Sequence, residues 1–226
     1  MATAEISIPE TTSEPLTLED LARLFGPMPP GRIRWQPAPG TATERDCRAI
    51  LESKTGICEL IDGVLVNKVM GYKESRLAFI LGLYLEAFGE RSGLGVAMGA
   101  DAASRILPSQ IRVPDVSFVY WSRLPNREIP NDPIPHLVPD LAVEVLSRTN
   151  TVREMDRKLH DYFTAGVPLV WYVDPPQRRV RVFTALDQCE IVHEAGTLSG
   201  GTVLPGFQLT LREWFARAER PSPPAV

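Results

Sequence analysis

Pro114-Asp115-Val116-Ser117-Phe118-Val119 and Pro139-Asp140-Leu141-Ala142-Val143-Glu144-Val145-Leu146 are the two stretches on which the reading of this chain turns. Each sets a carboxylate in a β-rich run. Side chains alternate faces along a strand, so Asp115, Ser117 and Val119 share one face of the first, and Ala142, Glu144 and Leu146 share one face of the second. Residues 141–146 are almost continuously apolar, as in a strand buried on both sides at the centre of a sheet. Glu144 is the exception. An ionised carboxylate among Val143, Val145 and Leu146 is costly unless a cation, a metal or a hydrogen-bond donor compensates it. Two strand acids facing each other make an oxygen-ligand site for a hard divalent ion, since Mg²⁺ commonly takes one or two carboxylates plus waters. A structural ion pair between Glu144 and a Lys or Arg, with Asp115 capping a turn after Pro114, satisfies the same pattern.

Working outward, residues 151–165 read as a helix with Met155, Leu159, Tyr162 and Phe163 apolar and Gly166 at its end. That phase puts Glu154, Lys158 and Asp161 on the face away from Leu159 and Tyr162, and makes Lys158 the basic residue placed to reach back to the preceding strand. A lysine beside a two-carboxylate metal site is what phosphodiester hydrolysis requires. The metal activates water and polarises the phosphate, and the ammonium stabilises added negative charge. The alternative for Lys158 is an i,i+4 surface pair with Glu154. Upstream, residues 57–61 and 64–66 flank Asp62-Gly63, the strongest short hairpin signal, which sets Glu59 in a strand and gives Asp62 a turn role. Leu77, Ile80, Leu81, Tyr84, Leu85 and Phe88 recur at helical spacing and predict the main packing helix over 73–91. A further helix starts at Thr43, with Asp46 three residues on and Gly56 as its stop. Strands are expected over 104–107, 112–120, 169–173, 180–184 and 190–192, a long Pro-rich loop over 124–139, and a closing helix over 211–218. Residues 1–42 read as an extended Pro-rich arm with one short capped helix beginning at Thr17.

The 226 residues carry 24 Lys+Arg against 28 Asp+Glu, a net charge of −4, with 44% hydrophobic residues. This is the composition of an ordinary globular protein, not of a collagenous, disordered or disulfide-stapled chain. The acidic balance argues against broad, sequence-blind binding of a phosphate backbone, so any nucleic-acid contact is local. Cys47, Cys58 and Cys189 show neither Cys-x-x-Cys spacing nor a nearby His, which encodes neither a disulfide framework nor a structural zinc site. Residues 1–14 lack the basic and apolar blocks of a leader, and no apolar run approaches the roughly 20 residues of a membrane span, so a cytoplasmic location is expected.

Other motifs carry less. Residues 93–99 lack the dinucleotide-binding spacing, and His193-Glu194 has no second histidine for a zinc protease. His136 and His160 read as solvated or packed. The Arg178, Arg179, Arg181 cluster reads as a solvated hairpin tip more readily than as a phosphate contact.

In order and spacing, Cys58-Glu59-Leu60-Ile61-Asp62-Gly63, the two acid-bearing strands through Ser147, Lys158 with Tyr162 and Gly166-Val167, and Trp171-Tyr172-Val173-Asp174-Pro175 resemble the Uma-two family of endonucleases, within the PD-(D/E)XK nuclease superfamily, over residues 56–215. The resemblance implies an α/β, restriction-endonuclease-like fold, a mixed β-sheet flanked by helices with an irregular N-terminal arm. It implies a nuclease-like domain over 43–220 and a tail over 221–226. It also implies a Mg²⁺ (or Mn²⁺) site on Asp115 and Glu144, with the backbone carbonyl of Val145 as a further ligand. Lys158 is then the electrostatic stabiliser, and Glu59 an auxiliary acid unless it is only an edge-strand residue. The superfamily's usual Glu-x-Lys places lysine at 146, where this chain has Leu146. The resemblance moves that lysine to Lys158 on the next helix. The expected protein is a metal-dependent endonuclease acting on DNA; a homodimeric scaffold that associates through the 124–139 loop is a third reading. The alternative is a catalytically inactive nuclease-fold module that binds nucleic acid or a protein partner.

Overall fold

The computed structural model describes residues 14–219, so the leader reading of residues 1–13 and the 221–226 tail lie outside the described residues. The chain enters through α1 (Leu18–Phe25), whose Thr17 side chain accepts the Asp20 N–H while the Asp20 carboxylate accepts the Thr17 N–H. α2 (Glu44–Glu52) follows, then the hairpin β1 (Cys58–Ile61) and β2 (Val64–Asn67). Next come the long helix α3 (Tyr72–Ser92), β3 (Gly95–Met98), β4 (Ser104–Leu107), β5 (Gln110–Arg112) and β6 (Val116–Tyr120). The second half runs β7 (Leu141–Val145), α4 (Val152–Ala165), β8 (Leu169–Asp174), β9 (Arg179–Ala185), β10 (Gln188–His193), β11 (Thr197–Ser199), β12 (Gln208–Thr210) and α5 (Leu211–Ala218).

The larger sheet has the order β10-β9-β8-β7-β6-β3. All its neighbours are antiparallel except β7 and β8, which run parallel, so the sheet is mixed. A parallel pair needs a crossover, and α4 supplies it. One face of this sheet, with Val143, Val145, Trp171 and Val173, packs on α3 and α5. The other, with Ala142, Val170 and Tyr172, packs on Met155, Leu159 and Tyr162 of α4. A smaller sheet of order β2-β1-β5-β4 packs its apolar face on Cys47 and the rest of α2. The expected α/β architecture, a mixed sheet flanked by helices, is therefore present.

Some elements differ from the sequence reading. The run expected as a single strand over 112–120 is two, β5 in the smaller sheet and β6 in the larger. The break falls at Val113-Pro114-Asp115, where proline has no N–H to give a ladder. α2 ends at Glu52 with Ser53 as its cap rather than at Gly56. β11 and β12 have three residues each, too few for alternation to announce them, and β3 lies within the glycine-bearing stretch 93–99. The arm is also not merely extended. Leu21, Phe25, Met28 and Ile33 bury against Ile61, Val64 and Val66 of the hairpin. The thiols of Cys47 and Cys58 lie 3.6 Å apart, both buried and both free, while Cys189 is exposed.

The hairpin turn places Asp62 at φ 46° and Gly63 at φ 74°, the backbone a two-residue Asp-Gly turn demands. The Gly63 carbonyl accepts the N–H groups of Gly40 and Ala42 at 2.8 and 2.9 Å, so the arm lies directly on the turn. A Cβ at Gly63 would run into the Gly40 carbonyl, whereas one at Gly93, also in the left-handed region at φ 67°, meets nothing within 4 Å. Gly93→Ala is expected to cost about 1 kcal/mol from backbone strain, and Gly63→Ala at least about 2 kcal/mol more. Urea unfolding of the two variants measures the difference, and equal costs would mean the arm does not rest on the turn.

Candidate active site

Three elements meet where β7, β1 and α4 converge. Glu144 sits near the end of central strand β7 on the α4 side, and two side chains one turn apart on α4 reach it. The Tyr162 hydroxyl donates to Glu144 Oε1 at 2.5 Å, and Lys158 Nζ lies 3.2 Å from Oε2. The same Nζ lies 3.0 Å from Glu59 Oε1 on β1. Glu59 is held further by the Val113 N–H on Oε1 at 3.1 Å and by Arg112 Nη1 on Oε2 at 2.8 Å. Arg112 then donates its other terminal nitrogen to Asp161, which returns the network to α4. Asp161 is also paired with Arg157 at 2.8 Å.

Asp115 precedes β6, and its N–H donates to the Val143 carbonyl at 2.9 Å, which aligns it beside the last turn of pleat in β7. Its Oδ2 accepts the Val145 N–H at 2.6 Å, and its Oδ1 pairs with Lys68 Nζ at 2.8 Å. Lys68, just past β2, also donates to the Val113 carbonyl. Glu59, Lys68, Asp115, Glu144, Val145 and Lys158 line one cleft together with Ser147 and Asn150. The charged groups are nearly withdrawn from solvent: Glu59 is 3% exposed, Glu144 and Lys158 5%, and Asp115 6%.

The structure thus brings together the four sequence-predicted side chains Asp115, Glu144, Lys158 and Glu59, with the Val145 main chain beside them. It corrects the reading of α4, whose Glu154, Lys158 and Asp161 are buried and not on a face turned away from Tyr162. The surface pair of Lys158 with Glu154 is not formed. Glu154 instead pairs with Arg32 of the arm at 2.7 Å. Asp115 receives a strand N–H rather than capping a turn after Pro114. Lys68, Arg112 and Asp161 are partners that sequence reasoning missed. Other candidates lie elsewhere. Asp140 accepts the Tyr120 N–H and Arg123 Nε. Asp62 combines its turn role with a 2.8 Å pair to Arg157. His136, His160 and His193 are exposed. The arginines of the β8–β9 region are partnered, with Arg178 on Glu194 and Glu219, Arg179 on Asp174, and Arg181 over Tyr172 and Phe183.

The two glutamates differ electrostatically although both touch Lys158. Burial pushes Glu144 up to about 7; Lys158 and Lys68 oppose this, while Asp115 and Glu59 add to it. Burial would raise Glu59 too, but Lys158, Arg112 and Lys68, with the Val113 N–H, outweigh it and lower the carboxyl to about 2. Lys158 is held above the usual ammonium range, because its two carboxylates outweigh the desolvation that would lower it.

The resemblance implies a divalent ion at this cleft. Among the described residues no three His, Cys, Asp or Glu side chains form a metal cage. Two carboxylates and a main-chain carbonyl on a polar cleft nevertheless suit a hard ion that keeps several waters, which is the habit of Mg²⁺. The donor set fits, with Asp115, Glu144 and the Val145 carbonyl as the groups that would hold the ion.

This mixed sheet, with its acids and lysine converging on one cleft, is a restriction-endonuclease-like fold. The family model Uma2, described as "Putative restriction endonuclease", matches residues 46–212, and the chain belongs to that family. It is similar in fold to the crystal structure of a protein described as a "putative nuclease belonging to DUF820" from Anabaena variabilis ATCC 29413. That likeness has a TM-score of 0.65 and 21% identity, over 73% of this chain and 92% of the other. No curated protein matches the chain. Among the described residues no helix is long and apolar enough to cross a membrane.

Because the folded-state pKa of Glu59 lies below its ordinary 4.5, its stabilising contribution is fully present above about pH 4.5 and is lost as pH falls toward about 2. Glu59→Gln strips a buried carboxylate from Lys158 and Arg112 and is expected to cost about 3–5 kcal/mol near neutral pH. The gap from wild type should narrow as pH drops from 4.5. Urea unfolding across that range measures it, and a gap independent of pH would contradict the ionised state of Glu59.

Proposed function

We propose that the chain is a metal-dependent endodeoxyribonuclease that hydrolyses DNA phosphodiester bonds with Mg²⁺ or Mn²⁺. The observation that carries this reading is the convergence of Asp115, Glu144 and Lys158 on one cleft. Membership of a family described as restriction endonucleases supports it. The ammonium that the superfamily takes from the position now held by Leu146 is delivered by Lys158, anchored 3.2 Å from Glu144.

A bound divalent ion supplies Lewis-acid polarisation of a phosphoryl oxygen and a water of lowered pKa. The protein does the rest. Asp115, just before β6, and Glu144 on the adjacent strand β7 present oxygens to the cleft, and the 2.6 Å bond from the Val145 N–H fixes the Asp115 carboxylate beside β7. Lys158, kept protonated by its carboxylates, offers a fixed positive charge to the phosphate as negative charge builds in the transition state. Tyr162 holds Glu144 Oε1 and orients its other oxygen toward the ammonium. Both oxygens of Glu59 are engaged, so in this reading it positions Lys158 and Arg112 rather than serving as a free acid. The low exposure of all four groups excludes bulk water and strengthens each of these interactions.

Plasmid nicking with Mg²⁺ or Mn²⁺ tests the proposal. Asp115→Asn, Glu144→Gln and Lys158→Met are each expected to lower the rate by about 10²–10³-fold, the scale of removing one transition-state contact. Equal cleavage by all four proteins would take these residues out of catalysis. Absence of both cleavage and metal binding in wild type would favour the non-catalytic module.

A further inference from the structure

Each oxygen of the carboxylate pair already faces a protein donor. Glu144 Oε1 accepts the Tyr162 hydroxyl and Oε2 faces Lys158. Asp115 Oδ2 accepts the Val145 N–H, and Oδ1, its remaining oxygen, faces Lys68 Nζ at 2.8 Å. A divalent ion that uses Asp115 meets the Val145 N–H beside Oδ2 or the Lys68 ammonium beside Oδ1. The first is a main-chain N–H fixed in strand β7. The second is the end of a flexible four-carbon stem.

The two lysines of the cleft are held differently. Lys158 grows from the interior of α4 and bridges two carboxylates at 3.0 and 3.2 Å. Lys68 lies beyond the end of β2, in the irregular stretch before α3, and holds one carboxylate and one main-chain carbonyl. Its side chain is 10% exposed and lines the cleft beside Asn67, Val69 and Met70. Of the cations in the cleft it is the one whose withdrawal disturbs no regular element.

We propose that Lys68 is a resident cation lock, its ammonium occupying the Asp115 oxygen that a divalent ion needs and yielding it when the ion enters. This inference rests on the metal-site reading above and deepens it. It assigns to the chain itself a determinant of how tightly the ion binds. An ammonium 2.8 Å from Asp115 Oδ1 repels a divalent ion at the same oxygen, so removing the ammonium raises ion affinity. The expected size is the usual range for two coupled events at one place, about 5–150-fold.

The test uses the full chain and Mn²⁺ alone, with free ion measured by electron paramagnetic resonance. Lys68→Met, which keeps the stem and loses the charge, should bind Mn²⁺ about 5–150-fold more tightly than wild type. Lys68→Arg, which keeps a cation, should stay close to wild type. A thermal melt shows whether each variant is folded. The second readout separates displacement from a general charge effect. The chain has four lysines, Lys54, Lys68, Lys73 and Lys158, so with ¹⁵N-lysine labelling the Lys68 side-chain signal is identified by its loss in Lys68→Arg. Mg²⁺ should move that signal in wild type toward the position of a solvated lysine. Equal Mn²⁺ affinity in wild type and Lys68→Met, or a Lys68 signal that Mg²⁺ leaves in place, would overturn the lock while leaving the metal site standing. Failure of wild type and Lys68→Met alike to bind Mn²⁺ would overturn lock and metal site together.

Discussion

Lys158 reaches Glu59 at 3.0 Å and Glu144 at 3.2 Å in a place almost without solvent, and few arrangements of the chain allow it. Glu59 comes from the smaller sheet, Glu144 from the central strand of the larger one, and the lysine from the helix that crosses between β7 and β8. A buried ammonium needs both carboxylates, and each carboxylate needs further donors, here Tyr162, Arg112 and the Val113 N–H. The network therefore fixes how the smaller sheet sits against the larger one. It is held from outside by apolar packing, with α3 and α5 on one face of the larger sheet and α2 against the smaller.

The same network divides its acids by role. Glu59 is crowded with cations and stays ionised, whereas Glu144, with fewer donors and Asp115 as a neighbour, is pushed up to about 7. Burying like charges side by side is unfavourable unless something positive is shared between them. In the protein alone that role falls to Lys68 and Lys158. In the nuclease reading it passes in part to a divalent ion, which is why the site can be both a stable element of the fold and a place where an ion has reason to bind. The arm takes part as well, since Arg32 reaches Glu154 and the Asn67 carbonyl and so ties α4 to the end of β2.

Much of this was legible in the sequence because the informative residues violate their local pattern. Glu144 stands out as a charge within an aliphatic strand, Asp62-Gly63 as a two-residue turn, and Lys158 as the basic residue of the following helix placed to reach back to that strand. The faces of α4 were not legible, because a helix with sheets on more than one side buries charged residues that periodicity assigns to solvent. Arg112 was hidden by reading 112–120 as one strand, although Pro114 marked the break. Lys68 had a usable signal. The two-residue turn sets Glu59 opposite Val66, so alternation puts Lys68 on the face of Glu59. The pairing of Arg112 with Asp161, far apart in the chain, follows from packing and from no local pattern.

The account stands on one claim: the carboxylates that end up beside Lys158 form a seat for a divalent ion and not merely a set of structural ion pairs. Anomalous diffraction from a Mn²⁺-soaked crystal addresses it most directly. The account requires a peak bounded by Asp115, Glu144 and the Val145 carbonyl, with Lys158 still on Glu59. A crystal whose manganese lies only at surface carboxylates, with every ion pair of the cleft intact, would contradict it.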